Sequence, residues 1–244
     1  MKLFLSLCII VTLLIASPGY AQVPIGVTGN LLVGGVWNRG LDSSDEILVI
    51  QLEANGAIIV DEGDAVKYFF NTTPINLAGV TNWMTHGYDD SGWSDGQNGV
   101  GYNSSQITEV PDTDDQGGIY TRFPLFDLPN AASITSMTIR ADYDDACIVW
   151  LNGVEVFRAN MGGDDEEEIP VPEWDFIPTS KESTNKPGPD PTRWEAPVSN
   201  LFGPAHDNDN GSIVEFTFDV VLSATAVEPG GKLTTSWGGI KASY

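Results

Sequence analysis

Asn152-Gly153 most narrows the folds open to this chain, because it separates two β-rich runs, Cys147-Ile-Val-Trp-Leu151 and Val154-Glu-Val-Phe-Arg158, by two residues. A type I′ turn needs positive φ at both central positions, which Asn and Gly tolerate, so the pair predicts a tight β-hairpin. In its simplest register Leu151 faces Val154, Val149 faces Val156 and Cys147 faces Arg158. On the other face Trp150 meets Glu155 and Ile148 meets Phe157. The first run is apolar on both faces, which places it inside a layered structure and not on an exposed sheet. An acidic corner, Asp142-Tyr-Asp-Asp145, leads into it.

Strand patterns continue elsewhere, and no long amphipathic helix emerges. A second Asn-Gly pair, Asn55-Gly56, joins the apolar runs 47–54 and 57–60. Residues 67–70 form a short apolar-aromatic strand, and 136–141 alternate with Met137, Ile139 and Ala141 on one side. In 213–222, Val214, Phe216, Phe218, Val220 and Leu222 share one face and Glu215, Thr217 and Asp219 the other. That period of two predicts one face in the core and one in water. The expected class is an all-β fold.

Residues 1–21 read as a removable signal peptide: Lys2, then an apolar run over 3–15, then Gly19-Tyr-Ala21 as a small-x-small cleavage site. The run is too short to span a bilayer, and no later stretch approaches the ~18 apolar residues a transmembrane helix needs. Cys8 lies within the apolar run behind Leu7, the wrong place for lipidation. The mature chain is expected to be secreted. Lys2 is the one charged residue removed, leaving ten basic against thirty-four acidic side chains, a net charge of −24. That balance repels nucleic acid and anionic membranes. Cys147 alone remains after processing, so no intrachain disulfide can form, and within its apolar run it reads as a small core residue.

Residues 161–210 differ in composition, with the acid run 164–168 and eight prolines. Proline removes ladder donors, so this predicts a long loop, ordered in places by Trp174, Phe176 and Trp194. The domain reading is a signal peptide over 1–21, an N-terminal extension with added strands over 22–56, a β-sandwich over 57–226 and a Gly/Ser-rich tail over 227–244.

A series of short motifs over about 59–221 resembles the galactose-binding-like jelly-roll modules of secreted bacterial proteins. Asp61-Glu-Gly-Asp-Ala-Val-Lys-Tyr68 matches the opening strand. Tyr88-Asp-Asp-Ser-Gly-Trp93 matches a "fDDSxW" element also found in sugar-binding domains of β-galactosidases, and Gly99-Val-Gly-Tyr102 the "GxGY" that comes after it. Tyr120-Thr-Arg-Phe123 is similar to a "yxRxxF" strand. Tyr143-Asp-Asp-Ala146, Val149-Trp-Leu-Asn-Gly153 and Val156-Phe-Arg158 together match "DDGaxvyLNGxEvxR". The resemblance implies a jelly-roll β-sandwich, here with a long acidic and Pro-rich insertion after Met161, and a non-catalytic module that binds carbohydrate at the cell exterior. Ala146 departs from the family's usual Gly. Residues 232–241 resemble a tail of exported bacterial proteins. Two alternatives stand beside the sugar-binding reading: a structural or protein-interaction domain of the extracellular surface without a small ligand, and an accessory domain of a glycosidase.

Catalysis is poorly supported. His86 and His206 are isolated from any Ser or Cys signature, and thirty-four acids make carboxylate pairs inevitable by chance. The chain is therefore not expected to be an enzyme. Sugar recognition needs aromatic faces for pyranose C–H groups and polar side chains for hydroxyls. Trp93, Tyr102, Tyr120, Arg122, Trp174 and Trp194 are the candidates, with Trp93 and Arg122 equally readable as locks on a sandwich edge. Hard oxygens gather at Asp89-Asp90 and at Asp142, Asp144 and Asp145, which makes these five the candidate ligands of a structural calcium ion. Asp207-Asn-Asp-Asn-Gly211 lacks the later ligands of an EF-hand loop. The competing reading makes the same aspartates turn formers. Asn71, Asn103 and Asn210 begin incidental glycosylation sequons.

Overall fold

The computed structural model describes residues 22–37, 46–71, 83–102, 106–111, 118–144, 146–159 and 214–223. Asn152 and Gly153 have φ of 53° and 79°, as do Asn55 and Gly56 with 50° and 78°. Both Asn-Gly pairs therefore form the expected turns, joining β3 (Glu46–Ala54) to β4 (Ala57–Val60) and β11 (Ala146–Leu151) to β12 (Val154–Ala159). The register of the second hairpin holds for Leu151↔Val154 and Trp150↔Glu155, then slips. Val149 faces Phe157, not Val156, and Cys147 faces Ala159, not Arg158. Val156 is the extra residue of a β-bulge, which turns both Val156 and Phe157 into buried positions. Phe157 then packs edge-on against Tyr143, with ring centroids 5.9 Å apart. Ala146 is a fully buried strand residue and not among those with positive φ.

The described chain is all-β, with one 3-10 turn at Ala131–Ser133. The first sheet runs β1 (Val23–Ile25), β13 (Val214–Leu222), β10 (Ser136–Tyr143), β3, β7 (Val100–Tyr102) and β8 (Thr108–Glu109), with β4 also on β3. The second runs β12, β11, β2 (Leu32–Trp37), β9 (Gly118–Arg122), β5 (Ala65–Asn71) and β6 (Ser94–Gln97), antiparallel throughout. The two sheets pack as a β-sandwich. Their facing sides supply one core: Leu48, Ile50, Leu52, Met137, Ile139, Phe218 and Val220 meet Leu32, Val36, Ile119, Cys147, Val149 and Leu151. Leu222, expected on that buried face, is 40% exposed at the end of β13.

Residues 22–56, read from the sequence as an extension, supply interior strands of both sheets: β2 lies between β11 and β9, and β3 between β10 and the pair β4 and β7. Gly34 and Gly35 hide β2 from sequence patterning, and the packing explains them. A Cβ on Gly34 would run into Ile50 Cδ1 across the core, and one on Gly35 would lie 2.8 Å from the Trp37 ring. One edge of β3 is shared by β7 at residues 46–48 and β4 at 52–54, leaving Ile50 between them. Buried Asn98 fills that gap. Its Oδ1 accepts from Ile50 N at 3.1 Å, and its Nδ2 donates to Ile50 O at 2.6 Å and Asp61 O at 2.8 Å. Its side-chain amide thus stands in for a ladder residue, and no buried backbone group is left orphaned there.

Candidate functional site

The outer face of the second sheet carries its own core. Val33 and Trp37 of β2, Ala146, Ile148 and Trp150 of β11 and Tyr120 of β9 point away from the sandwich interior, by the alternation of each strand. Phe69 of β5 joins them beside Tyr120, its direct cross-strand partner. Residues 83–93 form a strap across this face: Trp83 and Trp93 are buried on it, with Met84 and Tyr88 packed against them. Trp83 stands edge-on to Tyr120 and to Trp150, with centroids 5.3 Å away in each case. This third layer is why the first strand of the hairpin is apolar on both sides.

Arg122 pins the strap. It projects outward from β9, is 5% exposed, and donates through Nη1 to the backbone carbonyl of Trp83 and, at 3.3 Å, to that of Thr85. Its Nε pairs with Asp90 Oδ2 at 2.9 Å, and its guanidinium lies over the Tyr88 ring, 5.2 Å from the centroid. The planar fork puts Nη1 on two carbonyls and Nε on a carboxylate in one fixed geometry, a spread that the three donors of an ammonium, all on one atom, lack. Arg122 is the cross-strand neighbour of Lys67, and each cation has its own anion: Asp90 for Arg122, Asp95 at 2.6 Å for Lys67. His86 supplies a further anchor, with Nε2 2.8 Å from the carbonyl oxygen of Gly29. Burial lowers the imidazole pKa below 6.5, the Arg122 charge lowers it further, and the Gly29 bond opposes them. Burial likewise raises the Tyr120 phenol above its ordinary range, partly offset by the neighbouring Trp37 indole.

Four of the six ligand candidates fall within the described residues, and all four are buried. Trp93, Tyr120 and Arg122 are parts of the strap layer, and Tyr102 is 1% exposed in the core between the sheets. Their aromatic faces meet other protein rings, which withdraws them from direct contact with a sugar. Trp174 and Trp194 lie outside the described residues.

The acidic candidates are separated. Asp90 is engaged by Arg122. Asp89 is exposed, and its Oδ1 accepts from Ser91 N at 3.1 Å; bonding to Ser91 side chain and backbone lowers its pKa below 3.8. That is the geometry of an Asp turn former. Asp142 is 4% exposed on β10, where alternation with inward Ala141 and Tyr143 turns it to the outer side of the first sheet. Asp89-Asp90 and Asp142 therefore sit on opposite sides of the sandwich and are not brought together into one site. Asp144 comes after β10 with its backbone N–H on Ile47 O at 3.2 Å, and Asp145 lies outside the described residues. Among the described residues no group of three or more His, Cys, Asp or Glu side chains is placed to hold a metal ion.

Arg140 lies on the same outer face of the first sheet as Asp142, by the alternation of β10. It pairs with Glu53 at 2.6 Å and with Glu215, and donates to Gln51 Oε1 at 3.0 Å, tying β3, β10 and β13 together. Burial alone would lower its pKa, but the two glutamates outweigh that and raise it.

His86, Trp83 and Thr85 are the parts of this layer that the sequence does not single out. The available signal is two tryptophans, Trp83 and Trp93, flanking a short segment with one histidine and one Asp-rich turn. Comparison with known proteins finds no matching family model, no matching curated protein and no matching solved structure. Among the described residues no helix is long and apolar enough to cross a membrane.

Proposed function

We propose that this chain is a secreted, non-catalytic binding module of the cell exterior, a jelly-roll sandwich of galactose-binding-like type whose ligand class is carbohydrate. One observation carries the reading. The "fDDSxW" and "yxRxxF" elements meet in a single contact, where Asp90 of the first pairs with Arg122 of the second and Trp93 packs in the same layer as Tyr120. Two motifs picked out separately in the sequence thus act as one structural unit, which supports the resemblance that joined them. Fold alone does not fix function, so the ligand class rests on that resemblance.

With Trp93, Tyr102, Tyr120 and Arg122 committed to packing, the aromatic contacts of the proposed site fall to Trp174 and Trp194. Affinity electrophoresis of the folded protein through gels containing neutral or acidic polysaccharides, together with a glycan array, tests this. Retardation by at least one polysaccharide is expected, abolished by Trp174→Ala or Trp194→Ala with the fold intact. Silence on every glycan from folded protein overturns it. The second reading, a structural or protein-interaction domain without a small ligand, then takes its place. That reading is favoured by the burial of every described aromatic candidate.

A further inference from the structure

We propose that the strap formed by residues 83–93 is an acid-loosened cover, with His86 as its sensor, released from the aromatic face of the second sheet while both sheets stay folded. This inference stands apart from the choice of ligand. None of the strap's residues belongs to a β-ladder. It is held instead by its buried tryptophans and by a few polar anchors: the Arg122 fork on the carbonyls of Trp83 and Thr85, the Arg122–Asp90 pair, and His86 on Gly29 O. A segment fixed by side-chain contacts opens at lower free energy than strands with complete ladders on both sides.

His86 sits where added charge is unwelcome. Its ring is half-buried and within reach of the Arg122 charge, and Arg122 is itself held by the carbonyls of Trp83 and Thr85 and by Asp90. Among the described residues, the charged and titratable groups around it are few. From β9 there is Arg122. From the strap there are Tyr88, Asp89 and Asp90, with Asp90 bound to Arg122 and Asp89 turned to solvent on Ser91. Residues 26–31 bring none. The next turn brings Asp127, whose Oδ1 is occupied by Gly29 N at 3.1 Å. Among the described residues, a second cation here meets no carboxylate without an ion-pair or hydrogen-bond partner already on it. The neutral ring makes the same Gly29 bond without the repulsion. Acid therefore favours the open strap, in which the imidazole meets water, and the effect develops as the pH falls below 6.5.

Amide hydrogen exchange of the mature chain, monitored by residue from about pH 7.5 to about pH 5 and corrected for intrinsic rates, tests this. Strap amides such as Trp93 N, bonded to Asp90 O, should exchange severalfold faster at the acid end, with those of β2, β9 and β11 unchanged. His86→Gln, whose amide nitrogen can take the place of Nε2 as donor to Gly29 O but does not titrate, should remove the pH dependence. Should that variant fail to fold, the His86 ring can be titrated by NMR in the unaltered protein. Its midpoint should lie below 6.5 and coincide with the strap shifts. Strap and sheet loosening together, a retained pH response in His86→Gln, or a midpoint at or above 6.5 would overturn the proposal.

Discussion

At the scale of single residues, Arg122 decides more than its one charge suggests. Two backbone carbonyls, a carboxylate and an aromatic face depend on it, and it lies almost wholly out of water. Arg122→Ala leaves Asp90 without its cation and two carbonyls without a donor, and the expected cost is about 3 kcal/mol. Arg122→Lys should recover only part of that, because a single ammonium cannot reach both carbonyls and Asp90. Urea unfolding midpoints of the three proteins at neutral pH check this. A lysine variant as stable as the original would mean that charge alone, and not the fork, holds the strap.

At the scale of elements, the two Asn-Gly hairpins were legible because the demand for positive φ is local. The strand pairing beyond the second turn was legible only for its first two residue pairs. The hairpin at Asn152 slips register at Val156, since packing of Phe157 against Tyr143 and Phe216 rewards a bulge that no property of the hairpin sequence announces. Asn152 itself does more than turn the chain. Its Oδ1 accepts from Leu31 N at 2.8 Å, and its Nδ2 donates to Pro24 O at 2.7 Å and Asn30 Oδ1 at 3.1 Å. Asn30 in turn brackets Gly26 with both ends of its amide. The turn is thereby bolted to the segment between β1 and β2. Asn152→Gly keeps the turn but loses these bonds, and should cost about 1–3 kcal/mol. Asn152→Ala loses the same bonds and, without the polar side chain that lets Asn tolerate left-handed backbone, should cost about 1 kcal/mol more than the glycine variant. Thermal unfolding of both variants separates the terms: a neutral glycine variant would show that the amide network adds nothing.

At the scale of the whole molecule, the acidic balance raises the question of what compensates clustered carboxylates. The structure answers with arginine and turn backbone at the clusters it describes: Arg122 for Asp90, Ser91 for Asp89, Arg140 for Glu53 and Glu215. A calcium ion shared by Asp89-Asp90 and the 142–145 corner would have to bridge two faces of a sandwich, which is more than about 10 Å across by ordinary sheet spacing. Thermal melts in millimolar calcium and in excess EGTA, at constant ionic strength, are therefore expected to show no calcium-dependent rise that needs both Asp89-Asp90 and Asp142. A site saturated at ~100 times its dissociation constant would add roughly 2.7 kcal/mol, a rise in Tm on the order of 5–10 °C. Such a rise that survives Asp89→Asn with Asp90→Asn, and is lost in Asp142→Asn, would locate an ion on the first sheet alone.

The sequence by itself determined the all-β class, the two tight hairpins and the one-sided strands such as β10, because period-two alternation and turn chemistry act within a few residues of chain. It also made β11 apolar on both faces without saying what covers the second. Assembly of the layers was needed to establish that the cover is the strap at 83–93, that Gly34 and Gly35 lie in a central strand, and that Trp93, Tyr120 and Arg122 face protein and not solvent. Each of these turns on which segments, dozens of residues apart, meet across a sheet. Burial of an aromatic or an arginine is a property of that meeting and not of its neighbours in sequence, so the same Trp and Arg read equally well as a ligand platform or as a lock until the layers are assembled.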